Sequence, residues 1–325
     1  MLKIHDRIYG DFAVPDGVLT ELMQSKPLNR LRRINQAGPS AYLFDWKTVS
    51  RFEHSVGVML LLRKYGTLVA EQIAGLLHDV PHTAFSHVAD FVFTNEHHEF
   101  HELYHETVIA QSEIPVILKK HGVPQTVIHP EGYNLLERPI PDLCADRIDY
   151  ALRDSFLVYK DFNRLHLKLT GLTVRNGEFM FTSVEAAQAF ADDYLEMDRE
   201  SWANPREVAI YELLAQAIRH GLDKKLVTLD DLFQDDAHVM SVLKKSDDAY
   251  IQKKLKFLNP AFRIEPATKA HHHLFVKTKI RFVDPKIIEQ NRVVRLTAVS
   301  PHYEKAVADY IQQSSQGWYI NVHQS

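Results

Sequence analysis

Arg51-Phe52-Glu53-His54-Ser55, Leu77-His78-Asp79-Val80-Pro81-His82 and Asp146-Arg147-Ile148-Asp149-Tyr150 are three separated stretches that supply His, His-Asp and Asp in that order. A hard or borderline divalent cation is held by neutral imidazoles and carboxylates converging from several elements, and three helices can deliver them. His54, His78, Asp79 and Asp146 would give two imidazoles and two carboxylates, a set that suits Fe, Mn, Ni, Zn or Mg without choosing among them. Taken singly, each histidine is more often a packed or surface residue, and a His-Asp dipeptide arises by chance. The three features in this order carry the reading.

The surrounding sequence reads as helix. From Glu53 to Tyr65, Val56, Met59, Leu60 and Arg63 fall at helical intervals, which puts His54 in the first turn of a mostly buried helix. A second helix is expected from about Thr67 to Leu77, ending just after His78-Asp79 because Pro81 would cost about 3 kcal/mol inside it. Two short helices are expected over 16–36, and others near 85–93, 103–121 and 141–157. On the last, Asp146, Tyr150 and Asp154 share one face, with Arg147 beside it. Asn176-Gly177 marks a hairpin over 172–182, and helices resume from Val184 to about Gly221, with shorter ones following to Leu258. Stretches 273–283 and 292–299 are rich in strand formers, Tyr303–Gln313 reads as a helix and Trp318–Val322 as a strand. The expected fold is therefore mainly α, a helical bundle over 1–225, with a helical extension and a small α+β part over 226–325.

Composition narrows the function classes. The chain has 325 residues, 45% of them hydrophobic and 25% charged, as in globular proteins. A net charge of −4 argues against a dedicated nucleic-acid binder, which would carry a basic face. Nineteen histidines favour metal and acid–base chemistry. The single Cys144 excludes an internal disulfide and fits a reducing compartment. Charges interrupt Met1-Leu2-Lys3-Ile4-His5-Asp6-Arg7 before an apolar signal region forms, and Val56–Leu62 falls far short of the ~20 residues that span a bilayer. A cytoplasmic protein without membrane attachment is expected.

The flanking residues add a family likeness. Asn29-Arg30-Leu31-Arg32-Arg33-Ile34-Asn35-Gln36-Ala37-Gly38, Arg51 to Gly57, Leu77-His78-Asp79 through Phe85-Ser86-His87, His105-Glu106 and Asp146 to Tyr150 together resemble the HD-domain triphosphohydrolases that act on deoxynucleotides, especially the SAM-and-HD-domain type and its bacterial relatives. The likeness runs from about Ile4 to Asp154 and more weakly to about residue 225. It implies an HD bundle in which His54, His78, Asp79 and Asp146 hold a divalent metal. It also implies that His82 and His87 contact the phosphate chain, one of them protonating a leaving oxygen, with Asp90 as a neighbouring carboxylate and His105 as a further active-site histidine. His101-Glu102 repeats the His105-Glu106 dipeptide and competes for that last role. By the same likeness Arg51 contacts phosphate, Gln36 and Asp154 meet the sugar hydroxyl, Tyr150 packs against the sugar, and Arg147 stands where the family has a phosphate-reaching lysine. The residue types suit these tasks, because imidazole titrates near neutrality and guanidinium binds phosphate bidentately.

The chain also departs from the pattern. Val80-Pro81 replaces a common Leu-Gly, Ala37 a bulkier leucine, and Trp202 a customary tyrosine. The activity implied is hydrolysis of dNTP to deoxynucleoside and triphosphate. Alternatives are hydrolysis of a nucleoside monophosphate, a cyclic or pyrophosphorylated nucleotide or another phosphoester, or a nucleotide-binding regulator with little catalysis. The expected partner is a nucleotide or other phosphorylated small molecule. Homo-oligomerisation is an expectation from the relatives; the C-terminal strands offer either an edge for it or a surface that packs within one subunit.

Overall fold

The computed structural model describes residues 1–15, 17–93, 100–277, 279–290 and 292–323. A hairpin, β1 (Leu2–Asp6) and β2 (Gly10–Val14), leads into α1 (Val18–Gln24) and α2 (Lys26–Leu31). The central pair follows as α3 (Arg51–Lys64) and α4 (Val69–Leu77). The Ser50 side chain caps α3 by accepting the Glu53 N–H at 3.1 Å. His78 caps the C-terminus of α4, and the chain turns away through Val80 and Pro81 as the proline requires.

Short helices come next: α5 (Val88–Val92), α6 (Phe100–Leu103), α7 (His105–Ala110) and α8 (Ile114–Lys120). The single helix expected over 103–121 is thus divided at Gln111–Glu113, where Ser112 bonds back to Ile109 and Pro115 begins a new first turn. Then α9 (Ala145–Tyr159) and α10 (Phe162–Gly171) precede β3 (Leu172–Arg175) and β4 (Glu178–Phe181). Asn176 and Gly177 both adopt positive φ, 54° and 73°, as a two-residue hairpin turn of this kind demands.

A long helix, α11 (Val184–Met197), runs into one π turn at Asp198–Trp202 and is followed by α12 (Pro205–Asp223). The remaining elements are α13 (Leu229–Leu232), α14 (Asp236–Lys245), α15 (Ala249–Leu255), β5 (Arg263–Pro266), β6 (Leu274–Val276), β7 (Lys286–Glu289), β8 (Arg292–Arg295), α16 (Leu296–Val299), α17 (Pro301–Ser314) and β9 (Trp318–His323). The expected strand over 273–283 closes after Val276, and the expected strand over 292–299 turns helical at Leu296. The mainly helical class stands.

Two small sheets organise the end of the chain. In one, β9 lies between β5 and β6, antiparallel to both. In the other the order is β3-β4-β7-β8, so β4 pairs in parallel with β7 and ties the middle of the chain to its last part. One apolar core spans this connection, with Val58, Leu61, Ile148, Leu152, Phe190 and Tyr194 packed alongside Ile287, Leu296 and Tyr303. A second core joins α1 to α4 and α8, and a third packs α5 against α12, α14 and α15. Among the described residues no helix is long and apolar enough to cross a membrane.

Candidate metal centre

Three helices meet at the motif residues. His54 lies in the first turn of α3 and is 1% exposed, His78 and Asp79 leave the end of α4, and Asp146 lies in the first turn of α9. The two imidazole rings are 5.2 Å apart, edge to face. Asp146 Oδ1 sits 2.9 Å from His54 Nε2 and 3.5 Å from His78 Nε2. Asp79 Oδ1 lies 3.5 Å from His78 Nε2, and Asp79 Oδ2 lies 3.9 Å from His54 Nε2.

The opposite ring nitrogens are already engaged. His78 Nδ1 donates to the Gly75 carbonyl and His54 Nδ1 to Asp149 Oδ2, both at 2.8 Å. His78 Nε2 is buried and has no hydrogen-bond partner. Both rings therefore present Nε2 to one point that two carboxylates also reach, which fits a divalent cation: anchored Nδ1 protons fix the tautomer that leaves Nε2 as a donor atom.

Asp149, which no motif role anticipated, is held from behind. Arg153, fully buried, donates Nε to Asp149 Oδ2 at 2.7 Å and Nη2 to Asp149 Oδ1 at 3.0 Å, and reaches Asp6 and Glu53 with its other donors. The clue was the i, i+4 spacing of two opposite charges on one helix. Burial opposes a charge on His54, yet its hydrogen bonds to Asp146 and Asp149 raise its pKa to about 10, so without a cation Nε2 holds a proton that metal binding would displace. Burial also works against ionised Asp79, but Arg51 beside it keeps that carboxyl well below the ordinary range.

Arg51 is 3% exposed and is partly committed, giving Nη1 to Asp79 Oδ2 and Nε to Ser86 Oγ, each at 2.8 Å. Ser86 and Phe85 both sit in the left-handed region, with φ of 57° and 58°. That turn is pinned by Phe85 N–H to Asp236 Oδ1 at 2.6 Å and by Ser86 Oγ to the Asn35 carbonyl at 2.7 Å. It brings His82 and His87 to the side of the centre beyond Asp79.

His82 Nε2 lies 3.2 Å from Asp79 Oδ1, and His87 Nδ1 is 2.9 Å from Asp90 Oδ2. The third member of this group is His101, not His105. His101 stacks on His82 with ring centroids 3.9 Å apart and meets His87 edge-on at 5.6 Å. His105 instead donates Nε2–H to the Ile128 carbonyl at 2.8 Å. In one continuous helix the two would share a face, but the chain breaks at Tyr104 between α6 and α7, and the faces diverge. Asp90 assists by accepting the Phe100 N–H at 2.8 Å, which fixes the start of the helix that carries His101. Burial and neighbouring Arg51 hold His82 well below its usual pKa, and burial and His87 hold His101 at about 3, so both are neutral at physiological pH.

On the other side of Asp146, α9 points Tyr150 and Asp154 along one face. Tyr150 and Tyr194 share a hydroxyl hydrogen bond of 2.5 Å, and Trp202 donates Nε1–H to Asp154 Oδ2 at 2.8 Å while its ring meets Tyr150 edge-on. Burial raises the Asp154 pKa against the pull of Lys47. Lys47 is itself buried, donating to Glu207 Oε2 at 2.8 Å and to Ser201 Oγ, a pair the sequence did not signal. Gln36 is fixed through its backbone N–H to the Val49 carbonyl, and its buried Oε1 has no partner.

Arg147 does not have the expected freedom. Its Nη1 donates to the carbonyls of Arg138 and Asp142, at 3.2 and 2.6 Å, and to Cys144 Sγ at 3.2 Å. Lying beside the polar face rather than on it, the side chain turns into the 138–144 loop. Immediately before that loop stands one further carboxyl near Asp146: Glu137, whose pKa burial and Asp146 push up to about 7.

Residues 51–153, which contain all four motif positions, match the HD domain family. The chain is 38% identical over 325 residues to the uncharacterised protein YdhJ of Bacillus subtilis, covering 99% of each. It is 31% identical over 326 residues to the metal-dependent phosphohydrolase cns2 of Cordyceps militaris, covering 97% of this chain and 94% of that one. The chain belongs to the HD-domain phosphohydrolases. A Dictyostelium discoideum protein named a deoxynucleoside triphosphate triphosphohydrolase SAMHD1 homolog is 27% identical over 199 residues, 50% of this chain and 38% of its own. A solved phosphohydrolase structure from Bacteroides thetaiotaomicron shares this HD fold with a TM-score of 0.70 over 100% of both chains, at 18% identity. This HD protein is thus a metal-dependent phosphohydrolase whose substrate must be read from its pocket.

Proposed function

We propose that this HD phosphohydrolase hydrolyses deoxynucleoside triphosphates to deoxynucleoside and triphosphate, with His54, His78, Asp79 and Asp146 as the metal ligands. One observation carries the substrate: Asp146, Tyr150 and Asp154 stand at i, i+4 and i+8 on α9. Each step is about 6 Å along the helix axis, near the spacing between a phosphate and the sugar it esterifies. A nucleotide with its ester phosphate at Asp146 then lays its sugar on Tyr150 and its sugar hydroxyl toward Asp154 and the unpartnered Gln36 Oε1.

A divalent ion held by His54, His78, Asp79 and Asp146 would supply Lewis-acid stabilisation of charge developing on the phosphate oxygens. Arg51, fixed by Asp79 and Ser86, adds a preorganised positive charge beside it. Water attacks phosphorus, the bond from phosphorus to the sugar oxygen breaks, and that oxygen takes a proton. Neutral His82 and His101 offer imidazoles for phosphate contact, and His87, oriented by Asp90, is the member of the group placed for proton transfer.

A second reading, hydrolysis of a nucleoside monophosphate, is favoured by the engagement of Arg147 with backbone carbonyls, which removes one cation from the phosphate side. Metal-loaded protein incubated with dNTPs, rNTPs, nucleoside monophosphates and cyclic nucleotides separates the two. The first reading predicts intact tripolyphosphate from dNTPs; orthophosphate from monophosphates, with dNTPs untouched, contradicts it and supports the second.

A further inference from the structure

The turn that carries His82 and His87 is gripped by residues outside the stretch that matches the HD family. Arg30 of α2 gives Nη2 to the Val80 carbonyl at 2.6 Å and Nη1 to the His82 carbonyl at 2.9 Å. The same Nη1 reaches the Gln234 carbonyl at 3.1 Å, which ties the start of the turn to the segment joining α13 to α14. That segment also meets the turn directly. The Ala84 N–H donates to the Leu232 carbonyl at 2.8 Å, and the Phe85 N–H donates to Asp236 Oδ1 at 2.6 Å.

Asp236 has a second commitment, because its Oδ2 accepts the Asn35 N–H at 2.9 Å. Asn35 precedes Gln36, and its carbonyl takes the Ser86 hydroxyl that also receives Arg51 Nε. One carboxylate thus spans two backbone segments: one leads to Gln36 on the sugar side, the other to His82, His87 and the Arg51 contact on the phosphate side. The two backbones run close together, since a Cβ added at Gly38 would fall 2.5 Å from the Phe85 carbonyl oxygen. A brace is needed here. Phe85 and Ser86 are consecutive non-glycine residues at positive φ, a conformation that persists only where the surroundings over-determine it. Packing of the Phe85 ring into the core with α12 and α14 fixes its side chain, and Asp236 satisfies its main chain.

We propose that Asp236 is a positioning residue for hydrolysis: by accepting the Asn35 and Phe85 N–H groups together, it holds the 82–87 turn, with Arg51 bonded to it, at the separation from Gln36 that the substrate requires. The inference rests on reading His82, His87 and Arg51 as the phosphate side of the site. Asp235, its neighbour, supplies the contrast. It caps α14 by accepting the His238 N–H at 2.9 Å and pairs with Arg33 Nε at 2.5 Å, and among the described residues its side chain makes no hydrogen bond to the turn. Its loss loosens the start of α14 and leaves the brace in place.

Calorimetric titration of orthophosphate into Mn2+-loaded wild type, Asp236→Ala, Asp236→Asn and Asp235→Ala tests it, alongside metal content, thermal melts and dATP turnover. Asp236→Ala should keep its Mn2+, weaken orthophosphate binding about tenfold or more and lower kcat about 100-fold, the effect of displacing a positioned group by about 1 Å. Asp236→Asn keeps one acceptor and carries the test if the alanine variant does not fold, with a loss of about threefold or more expected in phosphate affinity. Asp235→Ala should melt lower yet bind orthophosphate within about twofold of wild type. Unchanged phosphate affinity in the folded Asp236 variants, an equal loss in Asp235→Ala, loss of Mn2+ from Asp236→Ala, or a wild type that does not bind orthophosphate would overturn it. If wild type leaves dATP and the other dNTPs intact while the Asp236 variants still lose phosphate affinity selectively, the dNTP reading falls and the role of Asp236 stands.

Discussion

Asp149 illustrates how much of a metal centre lies one residue behind the ligands. It accepts the His54 Nδ1 proton and is itself gripped by both sides of the Arg153 fork. Asp149→Ala should weaken metal binding about 10–100-fold, because His54 loses the partner that fixes its tautomer. It should also cost about 3–5 kcal/mol of stability, since Arg153 is left as a buried charge with fewer partners. Metal titration and urea unfolding of the variant read the two effects separately, and unchanged metal affinity would remove Asp149 from this role. At this scale the proposed ligand positions could be picked out because residue type, order and flanking motif all agreed, and the structure brings the four side chains together. Asp149 stood in the same motif, but its task depends on α9 facing α3, which no local pattern states. His101 and His105 show the complementary difficulty: identical dipeptides four apart cannot be ranked until the break at Tyr104 turns one inward.

Between elements, the close approach of α3 and α9 decides whether those residues can meet. Gly57 sits on α3 where an added Cβ would overlap the Arg153 guanidinium and Asp149 Oδ1. Helix propensity alone predicts that Gly57→Ala stabilises the protein by about 1 kcal/mol. The overlap reverses that sign, and the expected outcome is a net loss of about 2 kcal/mol or more with weaker metal binding. A Gly57→Ala protein that melts higher and binds metal normally would show that the helices are not so tightly apposed. The helices themselves were readable from apolar spacing and from Pro81, and the β3-β4 hairpin from Asn176-Gly177. The N-terminal hairpin β1-β2 was not anticipated: its burial alternates along both strands, but each is only five residues long and polar Lys3, His5 and Asp11 leave few apolar positions to mark the alternation. Nor do side-chain preferences distinguish strand from extended loop over 277–283, where pairing partners are set by the fold.

Across the whole molecule, the β4–β7 pairing and the hydrogen bond from the Arg281 backbone N–H to buried Asp198 bind the last part of the chain to the catalytic half. Asp198 should make that attachment sensitive to pH. Burial raises its pKa from 3.8 to about 6 against the pull of Arg281. Below 3.8 both folded and unfolded chains carry the proton and its stabilising contribution is complete; that contribution is lost as pH rises through about 6. Asp198→Asn mimics the protonated form, so its stability relative to wild type should improve by about 2–3 kcal/mol between pH 4 and pH 7, as read by urea unfolding. A difference that stays flat with pH would contradict a buried, neutralised Asp198. The central claim is that ligands from α3, the end of α4 and α9 make one metal-dependent centre, and Asp146 is the ligand that closes it from the third helix. Metal content per chain and phosphate release, measured together on wild type and Asp146→Ala, test it most directly. The variant should keep its helical circular dichroism while losing bound metal and hydrolysis; full metal content with undiminished turnover would contradict the account.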